Sequence, residues 1–336
     1  MRIGLVNDLP MALEALRRVL ATAPRHRVAW TARDGAEAVR ACAADRPDMI
    51  LMDLIMPVMD GVEATRRIMA ATPCPILVVT ATVDGNSGRV FDALGAGALD
   101  AVNTPTLAGP GAEANARALL AKIEVLGRLV ETTPPATAAP FPPAGARSGA
   151  GRAALFAIGA SAGGPAALAE VLKHFPPSLP AAVVIVQHLD ESFAAGLADW
   201  LGRQCTLPVR LAKEGDEPQA GVALLPGRGD HLVLTAGGRL AYTPHPADYA
   251  YRPSVDVFFE SVAAHWKQSA AGVILTGMGR DGARGLKKMR DARFATIAQD
   301  KASCAVYGMP KAAAEAGAAE QVLPLARIGP ALRRLL

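Results

Sequence analysis

The chain has 336 residues, 51% hydrophobic and 20% charged, with a formal net charge of +4. That much apolar side chain excludes a disordered chain, and the length exceeds what one hydrophobic core usually spans, so two domains are expected. Aromatic residues make up only 4%, which argues against stacking on single-stranded nucleic acid, and no apolar run approaches the roughly 18 residues of a spanning helix.

The first residues, MRIGLVND, enter a strand-like run with no signal-peptide pattern. The four cysteines, Cys42, Cys74, Cys205 and Cys304, form no CxxC pair. Neither a zinc site nor a disulfide framework is suggested, and the expectation is a soluble, cytoplasmic protein with no membrane insertion. The runs RIGLV, HRVAW, MILMD, PILVVT and LDAV alternate with MALEALRRVLA, GAEAVRACAA, GVEATRRIMAA and RVFDALGAG, whose apolar spacing is near 3.6. Five such βα repeats over residues 1–128 predict a doubly wound parallel sheet with its site at the C-terminal strand ends. Residues 129–152 contain TTPPATAAPFPPAGARSGAGR, which has no helical or strand period and reads as a linker.

From 153 to 336 the α/β pattern restarts. ALFAIGAS, AAVVIVQH, AGVILTG and FATIAQ read as buried strands, and PAALAEVLKHF, SVDVFFESVAAHW and ARGLKKMRDA as helices. GVALLPG, HLVLTAGG and RLAYT read as a small antiparallel insertion in a second doubly wound, mostly parallel α/β domain. Charge divides unevenly: 14 basic and 15 acidic residues in 1–132 give −1, and 21 against 16 in the remainder give +5. Arg280, Arg284, Lys287, Lys288, Arg290 and Arg293 cluster. They read either as a solvated helix face or as attraction for an acidic partner; a nucleic-acid binder would be more basic overall.

In the first domain Asn7 and Asp8 follow IGLV, Asp53 follows MILM, and Thr80 ends ILVVT. A lone Asp after a strand is usually a cap or turn residue, but Pro57 and Gly61 shape a loop after Asp53. Two carboxylates in one crevice favour a divalent cation such as Mg²⁺. With the specific pattern DLIMPVMDG, residues 1 to about 128 resemble the receiver domain of two-component response regulators. The resemblance implies that Asp53 is the phosphoacceptor, that Asp8, Asp53 and the carbonyl of Ile55 hold Mg²⁺, that Thr80 senses the phosphoryl group, and that a histidine kinase is a partner. Three positions depart from the family: Asn7 where it usually has an acid, Thr104 before Pro105 where it has lysine, and Ala101 where it has an aromatic switch residue. Losing the lysine removes a fixed positive charge from the phosphoryl oxygens.

In the second domain Gly159-Ala160-Ser161-Ala162-Gly163 is a GxSxG between a strand and a helix. Small flanking residues let a sharp turn expose the serine Oγ, with the next amide aimed at a developing oxyanion. The alternative is a dinucleotide loop, for which Asp190 would be the acid. His188 ends the next strand, either as a packed side chain or as a general base. Asp281, in ILTGMGRDGARG, caps the following helix, orients the imidazole, or does both. The order Ser161, His188, Asp281 differs from that of α/β-hydrolases.

AIGASAGGP, VQH, YRPSVDVFF, ILTGMGRDGA and AQDKASCAVYGMP, in that order from 153 to about 320, resemble the catalytic domain of the chemotaxis protein-glutamate methylesterases, the CheB family. The resemblance implies a Ser161–His188–Asp281 triad with the amides of Ala162 and Met278 as oxyanion donors, although the family commonly has threonine where Ala162 stands. It implies demethylation of glutamate esters on a methyl-accepting chemoreceptor, deamidation of glutamine by the same geometry, no cofactor for the hydrolysis, and a receiver that restrains the enzyme until phosphorylated. The receiver departures resemble those of methylesterases in Wsp-like chemosensory systems, which control a diguanylate cyclase. A rival reading is a signalling adaptor that binds receptors without turnover. Tyr251, Arg252, Ser254 and Asp256 match a family motif to which the sequence assigns no role.

Overall fold

A computed structural model describes residues 1–80, 87–105, 112–130, 154–249 and 251–336. The chain divides into two compact units, Met1–Pro134 and Pro135–Leu336. The linker expected over 129–152 lies, beyond Val130, outside the described residues.

The first unit runs β1 (Arg2–Val6), α1 (Pro10–Ala21), β2 (Arg27–Ala32), α2 (Gly35–Ala44), β3 (Met49–Met52), α3 (Gly61–Ala71), β4 (Ile76–Thr80), α4 (Ser87–Gly95), β5 (Asp100–Asn103) and α5 (Ala112–Val130). Its sheet is parallel, in the order β2-β1-β3-β4-β5. MILM of β3 is buried throughout, as a central strand covered on both faces requires. α2 and α3 start where Asp34 and Asp60 accept hydrogen bonds from the amides of Glu37 and Glu63, each three residues on. The strand order reverses between β1 and β3, which opens a crevice at their C-terminal ends.

The second unit contains β6 (Ala154–Ala160), α6 (Gly164–Leu172), β7 (Ala181–Gln187), α7 (Ala194–Gln204), β8 (Val209–Leu211), β9 (Ala223–Leu225), β10 (His231–Leu234), β11 (Leu240–Thr243), α8 (Val255–His265), β12 (Ala270–Ile274), α9 (Ala283–Asp291), β13 (Ala295–Gln299), α10 (Met309–Glu315), β14 (Gln321–Leu323) and α11 (Leu325–Arg333). Seven parallel strands form one sheet, β14-β13-β12-β6-β7-β9-β8, and β10 pairs with β11 in a separate antiparallel hairpin. Here the structure corrects the expectation for GVALLPG. Its strand, β9, joins the main sheet parallel to β7 because Ala223, Leu224 and Leu225 are all buried, a run that suits a covered strand rather than a one-faced hairpin.

Phe258 and Phe259 of α8, Leu286 and Met289 of α9 and Leu155 and Ala157 of β6 belong to one fully buried cluster beneath this sheet. Truncating either phenylalanine to alanine would cost about 3–5 kcal/mol. The strand order reverses between β6 and β12, so the loops after these two strands and after β7 meet at one edge.

Candidate active site

Ser161 follows β6 directly. Its amide donates to the carbonyl of Thr276 at 3.0 Å, which ties the serine turn to the loop after β12. Gly163 then takes φ +73°, a left-handed conformation that a side chain would strain, and α6 begins at Gly164. Gly277 permits the other close approach: a Cβ there would lie 2.8 Å from Cβ of Ser161. Met278 is the next residue along this loop. Among the described residues, the amides of Ala162 and Met278 donate to no other group, so both remain free to receive an oxyanion.

His188 follows β7, and its Nε2 lies 2.7 Å from Oδ2 of Asp281. Since Asp281 occupies Nε2, that nitrogen carries the proton and Nδ1 is the basic one. Nδ1 is buried without a hydrogen-bond partner. No hydrogen bond joins it to Ser161 Oγ in this conformation, a common looseness before substrate tightens a site. Gln187 braces both catalytic strand ends, its Nε2 donating to the carbonyls of Ser161 (2.8 Å) and His188 (3.1 Å).

Asp281 is the most heavily bonded group in the site. Besides His188 it accepts from Ser254 Oγ (2.8 Å) and from the amides of Val255 (2.7 Å) and Asp256 (3.0 Å), the first turn of α8 with its N-cap. Burial alone would raise its pKa; the bonds from His188 and from the helix terminus outweigh burial and hold the carboxyl below its usual range. Asp281 does not cap α9. Asp256 does, accepting from the amide of Gly285 at 2.7 Å. Ser254 is itself anchored: its amide donates to Nδ1 of the fully buried His231, whose Nε2 lies 3.1 Å from the carbonyl of Pro246.

In the first unit Asn7, Asp8 and Asp53 meet at the β1/β3 reversal. Asn7 Oδ1 accepts from the amide of Leu9, which turns its Nδ2 towards Asp53 Oδ2 at 3.0 Å. Burial pushes the Asp53 carboxyl up to about 6, against the amides of Leu54 and Ile55, and the negative charge of Asp8 adds to the rise. The two repelling carboxylates, Asp8 and Asp53, are hard-oxygen donors that fit a divalent cation. Thr80 is buried at the end of β4, and its carbonyl accepts from the amide of Thr104. Lys122 does not replace the missing lysine: it binds Asp100 and the carbonyl of Ala101, at the opposite end of β5.

A family model for CheB methylesterase matches residues 156–332, and one for the response regulator receiver domain matches 3–108. Protein-glutamate methylesterase/protein-glutamine glutaminase 3 of Pseudomonas aeruginosa is 57% identical over 341 residues, covering 99% of this chain and 98% of that protein. Protein-glutamate methylesterase/protein-glutamine glutaminase 2 of Cupriavidus metallidurans is 59% identical over 332 residues, covering 99% and 97%. This chain belongs to the CheB methylesterase family. The crystal structure of the Thermotoga maritima CheB methylesterase catalytic domain is 34% identical, covers 55% of this chain and all of that one, and superposes with a TM-score of 0.53.

Within this family framework several sequence readings are decided by contacts. Asp190 caps the short 3-10 turn Glu191–Phe193 through the amide of Ser192, so the dinucleotide alternative loses its acid. The basic cluster is partly neutralised. Arg284 and Lys288 both pair with Glu260 (2.6 and 3.1 Å), Lys287 pairs with Asp291, and Arg290 binds the carbonyl of Gly317. Among the described residues no helix is long and apolar enough to cross a membrane. No local pattern in the chain points to His231 or to the double clamp of Gln187, whereas the YRPSVD motif stands out. Its residues surround the His188–Asp281 pair.

Proposed function

We propose that this chain is a serine hydrolase that removes methyl groups from glutamate γ-esters on the cytoplasmic helices of a methyl-accepting chemoreceptor, and deamidates glutamine there by the same route. The observation that carries this reading is the grouping of Ser161, the bonded His188–Asp281 pair and two unused amides at one topological reversal. Nδ1 of His188 takes the Ser161 proton as Oγ attacks the γ-carbonyl carbon. The amides of Ala162 and Met278 receive the resulting oxyanion. His188 returns the proton to the departing methoxide, giving methanol, or to the departing amine, giving ammonia. A water, deprotonated by His188, then attacks the acyl-serine; the acyl–Oγ bond breaks, His188 returns that proton to Ser161 Oγ, and glutamate is released. Asp281, permanently anionic, stabilises the imidazolium at each transfer. These steps draw on no group beyond the chain, substrate and water.

The receiver sets the rate of this chemistry. Asp53 accepts a phosphoryl group from the histidine kinase of the same chemosensory system, and Thr80 contacts it from β4. Asp8, Asp53 and the Ile55 carbonyl would hold Mg²⁺, which when bound would offset the negative charge gathered at Asp53. Both partners act in the cytoplasm, where this reading locates the protein. Mass spectrometry of methylated receptor peptides tests the reading. Wild type should convert methyl ester to acid, with a loss of 14 mass units, about one methylene, whereas Ser161→Ala should leave the ester intact. Equal conversion by both would overturn the nucleophile assignment, and conversion by neither would favour the adaptor.

A further inference from the structure

Tyr251 lies flat on the ring of His188, with centroids 4.1 Å apart and planes within 5° of parallel. Three residues later the same segment supplies Ser254, Val255 and Asp256, whose donors hold Asp281. One short stretch therefore grips both members of the pair, the carboxylate through hydrogen bonds and the imidazole through its face. The His188 and Asp281 side chains are only 5% and 9% exposed, so water screens charge poorly at this position.

We propose that Tyr251 is a positioning residue whose π face stabilises the positive charge His188 acquires when it takes the Ser161 proton. This rests on the triad reading above. The face of a tyrosine ring carries the negative part of its quadrupole. Neutral imidazole gains only dispersion from the stack, whereas imidazolium gains electrostatic attraction as well. The interaction strengthens as the proton moves, so it favours the transition state over the ground state. Asp281 opposes the new charge in the plane of the ring, and Tyr251 opposes it from above. Burial and the charge of Asp281 raise the pKa of Asp256, whose carboxylate accepts from the amide of Gly285. The Tyr251 hydroxyl extends towards Gly279, where a Cβ would stand 3.6 Å from it. Burial, reinforced by the charge of Asp281, raises the pKa of the phenol, which keeps the side chain a neutral aromatic.

The test varies ring charge without changing ring shape. In the full-length chain, Tyr251 is replaced by phenylalanine and then by phenylalanines from mono- to pentafluorinated, which progressively drain the face. Tyr251→Phe should turn over methylated receptor peptide within about threefold of wild type. Added fluorines should lower kcat in steps to about tenfold, with KM nearly constant. The acid limb of the kcat/KM profile should move to lower pH in the same steps, because an imidazolium with a weaker partner releases its proton sooner. A flat fluorine series, in rate or in pH profile, overturns the proposal and leaves Tyr251 as packing. So does a loss in Tyr251→Phe as large as in the pentafluoro ring, which would assign the effect to the hydroxyl. Failure of the triad reading shows separately, as turnover retained by Ser161→Ala in the same assay.

Discussion

The two units use one topological device and treat charge in opposite ways. Each gathers acids where the strand order of a parallel sheet reverses, at β1/β3 and at β6/β12. Asp53 accepts from Asn7 and from the amides of Leu54 and Ile55, yet burial and the neighbouring charge of Asp8 push its carboxyl up to about 6. Asp281 is buried as well, yet it accepts four hydrogen bonds, three from the start of α8, and is held below its usual range. Burial therefore does not decide the state of an acid; the charges and donors around it do. Asp53 faces a second anion, a state that under the proposed function a cation and a phosphoryl group would relieve. Asp281 is saturated and stays a fixed anion.

The largest effect should come from removing that fixed charge. Asp281→Asn replaces an acceptor at Nε2 with a group that can donate, which favours the tautomer with its proton on Nδ1, the nitrogen that must accept. Ester hydrolysis at saturating substrate should fall by about 10³–10⁴-fold. A variant that melts like wild type and stays within tenfold of its rate would mean that Asp281 only holds the loop after β12.

Next comes His231, which acts on Asp281 through Ser254. His231→Ala deprives the buried Ser254 amide of its acceptor, a loss of about 1–3 kcal/mol that should loosen the α8 terminus. The expected result is a drop of tenfold or more in kcat with little change in KM. His231→Asn, which puts an acceptor oxygen near the former Nδ1, should recover part of it. Equal rates for the two variants would separate His231 from the acid.

The strand-end acids and the serine turn were legible in the sequence because each is a local pattern: a buried run, then a polar residue, then a glycine-shaped loop. What the sequence left open is non-local. The carboxylate of Asp281 is read by residues about 25 positions earlier, and Ser254 by a histidine 23 positions before it. Nothing in their spacing indicates that α8 would start over the loop after β12. The same limit applies to GVALLPG, whose partner in the sheet is β7, and to the arginines and lysines of α9, whose counter-charge Glu260 lies on α8.

The receiver crevice offers a smaller test of the same contrast. Asn7→Asp replaces the donor on Asp53 Oδ2 with a third carboxylate at the crevice. Because the Asp53 carboxyl titrates near 6 in the folded chain and at about 3.9 when unfolded, the folded state holds the extra proton between these values. Its contribution to stability is therefore lost as pH rises through about 6. In Asn7→Asp that penalty should grow: without metal the variant should melt several degrees below wild type at pH 8, and the gap should close as pH falls towards 4. Mg²⁺ should reverse the order, binding about tenfold more tightly to the variant, as calorimetry would report. An unchanged melting temperature in both conditions would remove Asn7 from the crevice electrostatics.

The smallest effect concerns α9, where the sequence alone raised the prospect of an acidic partner. Arg284 and Lys288 share Glu260, Lys287 pairs with Asp291, and Arg290 is bound to a backbone carbonyl. Exposed pairs of this kind contribute about 0–1 kcal/mol, and pairing with Glu260 and Asp291 weakens the pull of Lys287 and Lys288 on a partner. Lys287→Ala with Lys288→Ala should therefore change turnover on whole receptors by less than about twofold, with the same salt dependence as wild type. Glu260→Gln sharpens the comparison, since it frees Arg284 and Lys288 together and exposes the charge that pairing conceals. Turnover on an acidic receptor should then rise at low salt and return to the wild-type rate as salt is added, while a small neutral ester is hydrolysed as before. A large loss in the double lysine variant would show that the cluster recruits substrate despite its pairing, and that the partner's acids displace Glu260 and Asp291 on binding.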